Sequence, residues 1–402
     1  MSSKRIPFTS RTLRRSIVGA VSILALAPLL YFAACSSGSD NGGGGSTNNN
    51  TNNNPPPGAA NQFAYVINFF GNTVQPYSTD GNGNLTPIGN PVTVGSHPHN
   101  VTVDKAGRFV YIANHDSNFV SGYRVNADGS LAPINNAPGS PVTNLNNNDP
   151  TDNNPHWSAF DTTGGFLYVI NGVPPVPSTL KSYQVNADGT LTQIGTSGLL
   201  AQCFHGHNVA VAPNNNFIYV ACEDSGVVYS FGRGANGAAT GGTPTVVTAQ
   251  NGVPPTAPSA VVDPSSSHLF VGVTNGVTVF NIDPATGNIS GQTNFPAGNT
   301  PHSVTIDNNG HLYTGNINDG TVSAFSINGG TLTSLGVVKT GGEPNQAVVH
   351  PDKTVLFTAD QTTSTVTRFA IAGDGTLSPN PGTTAATLPG GSGTNGIAIT
   401  NK

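Results

Sequence analysis

The segment PHNVTVD at residues 98–104 decides the fold, because it is one copy of a seven-residue frame that recurs along the chain. Successive copies begin 43 to 57 residues apart, a spacing typical of a four-stranded propeller blade. Six further copies, the third and the last of them looser, are PHWSAFD at 155–161, GHNVAVA at 206–212, APSAVVD at 257–263, PHSVTID at 301–307, PNQAVVH at 344–350 and TNGIAIT at 394–400.

Each frame is followed by a turn and by a short aromatic and aliphatic run of the type FVYIAN at residues 109–114. A third run follows, as at residues 119–125, and leads into a tight hairpin written Asp128-Gly129, in which glycine supplies the positive φ. A fourth, more variable strand completes the unit. No long segment has apolar residues at helical spacing, so the chain is predicted to be all-β.

The first and last runs predict how the sheet closes. The repeat begins on a second strand, at residues 63–68, and finishes on a first strand, at residues 395–400. We therefore predict one seven-bladed β-propeller over residues 62–402, with four antiparallel strands per blade. The C-terminal strand joins the N-terminal blade, which leaves no open sheet edge in the ring.

The N-terminal residues have the features of an export signal. Residues 1–35 combine five basic residues, an apolar run at 17–32 and small residues before Cys35. We expect a signal peptide of the lipoprotein type, with Cys35 carrying a lipid that anchors the protein to a bacterial membrane, and an uncleaved anchor is the alternative. Residues 36–61, rich in Ser, Gly, Asn and Pro, are expected to be a disordered linker. Both readings predict an exported protein in the periplasm or at the cell surface.

Charge and cysteine content narrow the function classes. Loss of residues 1–35, with five of the fourteen basic and none of the nineteen acidic residues, changes the formal net charge from −5 to −10. A nucleic-acid partner is therefore not expected. Cys203 and Cys222 are the remaining cysteines. An oxidising compartment favours a disulfide between them, and two buried thiols are the alternative.

Four histidines occupy the second position of the frame. First strands line the channel of a propeller, so His99, His156, His207 and His302 should form part of one ring. Antiparallel pairing is expected to set three of them opposite an asparagine that ends the second strand, and His207 beside Cys222. The alternative is structural: proline starts the strand, and histidine donates to a carbonyl of the neighbouring blade. The three asparagines expected behind the histidines are Asn114, Asn171 and Asn316.

Other residues are assigned to the predicted site on weaker sequence evidence. Asn345 and Asn395 hold the ring position in frames without histidine, and Trp157 could stack on a ligand or fill a gap between blades. A second group follows second strands and could serve as acids or bases or be solvated loop charges: His115, Asp116, Glu223 and Asp224. The aspartates that end four frames should cap turns: Asp104, Asp161, Asp263 and Asp307.

The second strands ending in Asn and the hairpin NADGTL at residues 186–191 resemble the seven-bladed propeller lactonase family, which includes 6-phosphogluconolactonases and fungal muconate cycloisomerases. The resemblance implies a lactonase fold and a site role for His207 or His205 in the stretch at 203–207. The family's Pro-Arg-His blade start, whose arginine holds an anionic substrate, is replaced here by Ala-Pro-Ser at 257–259. None of the seven frames contains Arg or Lys, so this departure from the family pattern favours a neutral substrate.

Two functions follow from these patterns. The first is hydrolysis of a neutral lactone or related cyclic ester, with His207 or His156 as base, His99 and His302 assisting, and asparagines stabilising the oxyanion. The second is a non-catalytic, lipid-anchored binding or scaffold propeller. A transition metal held by three or four of the histidines is a variant of either. We expect a monomer with a small-molecule ligand, no cofactor and no dedicated metal site.

Overall fold

The computed structural model of the protein describes residues 62–135, 153–248, 255–388 and 393–401. The expected signal peptide (1–35), its Cys35 and the linker (36–61) lie outside these residues. The predicted fold class is confirmed: the described residues form 29 β-strands in seven antiparallel sheets. Among them no helix has the length and apolar character needed to cross a membrane.

The seven sheets are the blades of the propeller, and each is numbered by its position along the chain. Blade 1 contains β1 (Gln62–Asn68), β2 (Thr73–Thr79), β3 (Leu85–Pro87), β4 (Val92–Thr93) and β29 (Thr394–Ile399). Blade 2 contains β5 (Pro98–Val103), β6 (Phe109–Asn114), β7 (Phe119–Val125) and β8 (Leu131–Pro133). Blade 3 contains β9 (Pro155–Phe160), β10 (Phe166–Asn171), β11 (Thr179–Val185) and β12 (Leu191–Leu199). Blade 4 contains β13 (Gly206–Val211), β14 (Phe217–Cys222), β15 (Val227–Arg233) and β16 (Ala239–Val246).

The remaining three blades follow the same order. Blade 5 contains β17 (Ser259–Val262), β18 (His268–Val273), β19 (Gly276–Ile282) and β20 (Ile289–Pro296). Blade 6 contains β21 (Pro301–Ile306), β22 (His311–Asn316), β23 (Thr321–Asn328) and β24 (Thr331–Lys339). Blade 7 contains β25 (Pro344–Val349), β26 (Val355–Asp360), β27 (Thr365–Ile371) and β28 (Leu377–Thr387).

The first strands form the ring around the channel. Each of β5, β9, β13, β17, β21 and β25 contacts the next first strand, and β29 contacts both β25 and β5. The last strand β29 pairs with β1, so closure of blade 1 by the C-terminal strand is confirmed. Blade 1 therefore has a first strand at the channel, as the other six blades do.

A tyrosine in the second strand joins neighbouring blades. The hydroxyl of Tyr111 donates to the carbonyl of Gly189, which lies in the Asp-Gly hairpin of the following blade, at 2.6 Å. Apolar residues of adjacent blades pack around these tyrosines and form the core. The same bond recurs four times, as Tyr65 to Gly129, Tyr168 to Gly237, Tyr219 to Gly287 and Tyr313 to Gly375.

The aspartate that ends a frame caps the turn after it. Oδ1 of Asp104 accepts hydrogen bonds from the backbone N–H groups of Arg108 and Phe109. Asp161, Asp263 and Asp307 make equivalent bonds. These carboxylates are therefore structural, as the sequence predicts.

Candidate functional site: a histidine-rich channel mouth

Each histidine of the ring lies at a one-residue β-bulge. In blade 2, Pro98 pairs with Asn114 and the ladder resumes at Asn100, so His99 has no partner on β6. The expectation that His99 faces Asn114 is therefore wrong, because the bulge inserts one extra residue on the first strand. The same shift occurs at His156, His207 and His302.

The ring histidines line a cavity of about 520 Å³ at the mouth of the channel. Six of its lining residues are histidines and two are acidic, and none of its described lining residues is Lys or Arg. The cavity is thus polar but lacks a fixed cation for an anionic ligand. Its lining residues are Phe69, His99, His115, His156, Val173, Pro174, His205, His207, Glu223, Asp224, His302, Asn345, Gln361 and Asn395.

The imidazoles of the ring contact one another in sequence. Ring centroids are 4.1 Å apart between His99 and His156 and 4.3 Å apart between His156 and His207. His302 lies 4.5 Å from His207 although blade 5 separates them in the chain, because the ring position of that blade is Pro258, which carries no imidazole. Burial lowers the pKa of His99, His156 and His207 well below the ordinary value, and neighbouring imidazoles lower it further. These three side chains are therefore neutral at pH 7.

Side chains at the ring position donate to the next blade. Nδ1 of His207 lies 2.7 Å from the carbonyl oxygen of Pro258, and Nδ1 of His302 lies 3.0 Å from that of Asn345. Since a carbonyl oxygen only accepts, Nδ1 carries the proton in both rings. In a neutral imidazole this leaves the lone pair on Nε2. Donation from a ring histidine to a carbonyl of the neighbouring blade, the structural alternative, therefore holds at His207 and His302. The same bond leaves Nε2 of each ring without the proton.

Two carboxylates lie beside the blade 4 histidines. Oε2 of Glu223 is 3.5 Å from Nδ1 of His205 and 3.6 Å from Nε2 of His207. Asp224 Oδ2 is 3.4 Å from the same Nδ1 of His205, and its side chain is 55% exposed. From the sequence, Glu223 and Asp224 could be either site residues or solvated loop residues. In the structure both line the cavity.

A disulfide fixes this part of the rim. Cys203 and Cys222 are bonded, with their Cα atoms 5.3 Å apart. Both cysteines are buried. The bridge joins the segment before His205 to the end of β14, directly before Glu223, and so limits the separation of these two side chains.

Three predicted asparagines do not line the cavity. Asn114 is fully buried, and its Nδ2 donates to the hydroxyl of Ser121 within blade 2. Asn316 does the same with Ser323 in blade 6, and Asn171 is equally buried. Their predicted place behind the histidines is wrong, because the bulge pairs them with the residue before each histidine and all three side chains are buried within their blades. Asn345 and Asn395 do line the cavity.

Trp157 packs away from the cavity. It contacts the apolar cluster between blades 3 and 4, which includes Ile170 and Val209. Its ring is 6.2 Å from that of His207. The structure therefore agrees with the gap-filling alternative for Trp157 rather than with ligand stacking.

A family model described as "Lactonase, 7-bladed beta-propeller" matches residues 57–172 and 267–395, more than half of the chain. The chain belongs to this lactonase family. Residues 173–266 fall outside the match and include the disulfide, His205, His207 and Glu223.

Solved structures similar to this lactonase-family propeller share its fold at low sequence identity. A putative 6-phosphogluconolactonase from Bacteroides uniformis has a TM-score of 0.67 and 16% identity, covering 85% of this chain and 99% of its own. A periplasmic gluconolactonase from Pseudomonas aeruginosa has a TM-score of 0.63 and 16% identity, covering 84% and 99%. A protein from Lactobacillus plantarum has a TM-score of 0.65 and 18% identity, covering 84% and 99%. No curated protein matches the sequence.

Four lining residues of this lactonase-family cavity were not predicted from the sequence: Phe69, Val173, Pro174 and Gln361. Two of them share a position with residues already considered. Phe69 and Gln361 each directly follow the last residue of a second strand, as His115 and Glu223 do. The residue after the second strand therefore lines the cavity in four of the seven blades. Val173 and Pro174 lie in a loop with no equivalent signal in the repeat.

Proposed function

We propose that the propeller hydrolyses a neutral lactone or a related cyclic ester in the cavity at the channel mouth. The observation that carries this proposal is the lining of that cavity, with six imidazoles and two carboxylates but no Lys or Arg among its described residues. Membership of the lactonase family supports a lactone as substrate. In a cavity without a bound cation, a phosphate or dicarboxylate would find no Lys or Arg side chain among the described lining residues and would be repelled by Glu223 and Asp224.

His156 is the proposed general base. It is 2% exposed, and its Nδ1 has no hydrogen-bond partner among the described residues. A neutral imidazole can take a proton from water as the water oxygen attacks the lactone carbonyl. The ring C–O bond then breaks, and the departing oxygen takes the proton back, giving a hydroxy acid. His207, the other base considered, has its Nδ1 engaged by Pro258.

The product explains the acidic residues at the rim. Hydrolysis converts a neutral ester into a carboxylate, which Glu223 and Asp224 repel. Such repulsion favours release of product over rebinding. Oxyanion donors would be the amides of Asn345 and Asn395, which line the same cavity.

The proposal includes export, as the N-terminal sequence predicts. A disulfide between Cys203 and Cys222 suits an oxidising compartment. The substrate would then be encountered outside the cytoplasm, where phosphorylated sugars are not the expected supply.

The experiment is turnover of paired neutral and phosphorylated lactones by the propeller and by His156→Asn. Asparagine already occupies the ring position in two blades, so the variant should fold. We expect wild-type hydrolysis of the neutral member and a loss of about 10²- to 10⁴-fold in kcat for the variant.

The matched control is His97→Asn. His97 is a rim histidine, 39% exposed in its side chain, outside the cavity lining. Its φ of 50° suits asparagine. Equal losses in both variants, or faster turnover of the phosphorylated lactone, would contradict the proposal.

A further inference from the structure

Two hydrogen-bond acceptors face each other inside the cavity. The proton on Nδ1 of His207 is held by the Pro258 carbonyl, so its Nε2 presents a lone pair. Nε2 of His207 lies 3.6 Å from Oε2 of Glu223. Two acceptors at this distance repel unless a proton or a cation lies between them.

A third acceptor completes the group. His302 has the same arrangement, with Nδ1 directed at the Asn345 carbonyl and Nε2 left free. Ligand atoms of His207, Glu223 and His302 all lie within 4.8 Å of one another. One proton can satisfy only one pair of these atoms, whereas one cation can satisfy all three.

The distances suit a small divalent ion. Tetrahedral zinc with bonds of about 2.0 to 2.1 Å places its donors about 3.3 Å apart. The His207 to Glu223 separation is already 3.6 Å, so that pair needs only a small adjustment. Backbone carbonyls that hold the Nδ1–H of each imidazole are the usual second shell of metal-binding histidines.

We propose that the channel mouth binds one divalent transition-metal ion of the zinc class through Nε2 of His207, Nε2 of His302 and the carboxylate of Glu223. This inference departs from the sequence expectation of no dedicated metal site. Two imidazoles and one carboxylate form a ligand set that leaves a coordination position open for water or a substrate oxygen. Binding of the ion does not depend on lactone hydrolysis.

A neighbouring histidine nitrogen without a hydrogen-bond partner in the described structure also supports a metal site here. His156 is buried, its ring centroid is 4.3 Å from that of His207, and its Nδ1 lacks a partner among the described residues. A metal-bound water would supply one. The positive charge of the ion would also stabilise an oxyanion, in addition to the amides of Asn345 and Asn395 that line the same cavity.

A second possible group shares one of these ligands. His205, Glu223 and Asp224 also bring ligand atoms within 4.8 Å of one another. However, the Asp224 side chain is 55% exposed, and Nδ1 of His205 can donate to either carboxylate. This group therefore contains a hydrogen-bond donor and an exposed carboxylate, whereas the His207, Glu223 and His302 group consists of acceptors only.

The test is cobalt and zinc titration of chelator-treated protein without any lactone. Co²⁺ reports coordination by its visible absorption, and calorimetry with Zn²⁺ gives stoichiometry and affinity. We expect one equivalent of metal and an affinity at least about 100-fold lower in Glu223→Gln and His302→Asn. His97→Asn is the matched control and should keep wild-type affinity.

Each outcome bears on the proposal. Circular dichroism and the melting temperature of the metal-free variants show whether a variant loses affinity because a ligand is missing or because it is unfolded. Glu223→Gln is nearly isosteric and is therefore the variant expected to disturb folding least. Absence of saturable binding in the wild type, or unchanged affinity in Glu223→Gln, overturns the site. Loss of binding in Asp224→Asn with retention in His302→Asn would also overturn it, by assigning the ion to the His205 group. Because no lactone is present, failure of the hydrolysis assay leaves this result intact.

Discussion

The substitution Asp360→Asn should stabilise the propeller at neutral pH. Asp360 ends the second strand of blade 7, where blades 1, 2, 3 and 6 have asparagine. It is fully buried, and burial raises its pKa from the ordinary 3.8 to about 6. At pH 7 the folded protein therefore holds a buried carboxylate that the unfolded chain would expose to water.

The magnitude follows from that change in pKa. Because the pKa of Asp360 is higher in the folded protein than in the unfolded chain, protonation of this carboxyl stabilises the folded protein. This contribution to the free energy of unfolding is fully present below pH 3.8 and is lost as the pH rises through about 6. The contribution is about 3 kcal/mol. The amide does not titrate, so the variant should gain about 2 to 3 kcal/mol more at pH 7.5 than at pH 4, relative to wild type.

Blade 6 indicates that the amide will fit. Oδ1 of Asn316 accepts from the hydroxyl of Thr314, and its Nδ2 donates to that of Ser323. Asp360 accepts from Thr358 and Thr367, which hold the equivalent positions. In the variant, the hydroxyl of Thr367 can accept from the new amide instead of donating.

The assay is denaturant unfolding of wild type and variant at pH 4 and pH 7.5. The reverse substitution Asn316→Asp is the control and should destabilise the protein at pH 7.5 more than at pH 4. A variant whose stability difference from wild type is the same at both pH values, or one less stable at pH 7.5, would refute the reasoning.

Two further predictions concern stability. Tyr111→Phe should lower the free energy of unfolding by about 1 kcal/mol, because the Gly189 carbonyl loses its donor; an unchanged denaturation midpoint would contradict the role of this bond between blades. Replacing Cys203 and Cys222 together by alanine should cost about 3 kcal/mol, from the entropy of a loop closed across 19 residues; wild type measured with a reductant should match the variant, and a difference between them would count against this account.

The repeat made most of the fold predictable. Seven copies of the frame gave the number of blades, and the order of the first and last strands gave the closure, because strand pairing in a propeller follows the order of the repeat. The aspartate turns were also predictable, since each carboxylate bonds backbone groups only four or five residues away. These features depend on local sequence or on strict repetition.

The site was less predictable because it depends on a shift of one residue in the pairing of the first and second strands. Alternation of apolar and polar residues gives no sign of the bulge at His99, which moves every pairing beyond it by one position. The bulge separates the histidines from Asn114, Asn171 and Asn316 and directs those amides into the blades. The approach of His302 to His207 across blade 5 depends on contacts between distant residues that no single-sequence pattern encodes.

The C-terminal strand β29 both closes blade 1 and supplies a residue to the cavity. It is the last strand of the propeller to be synthesised, and it carries Asn395, whose Nδ2 donates to the carbonyl of His99. A chain that stops before residue 394 lacks one lining residue and leaves the inner edge of β1 open, with Tyr65 and Ile67 behind it. Such a product would be prone to pair with another chain through that edge. Pairing of β29 with β1 therefore closes the ring and completes the cavity lining in the same step.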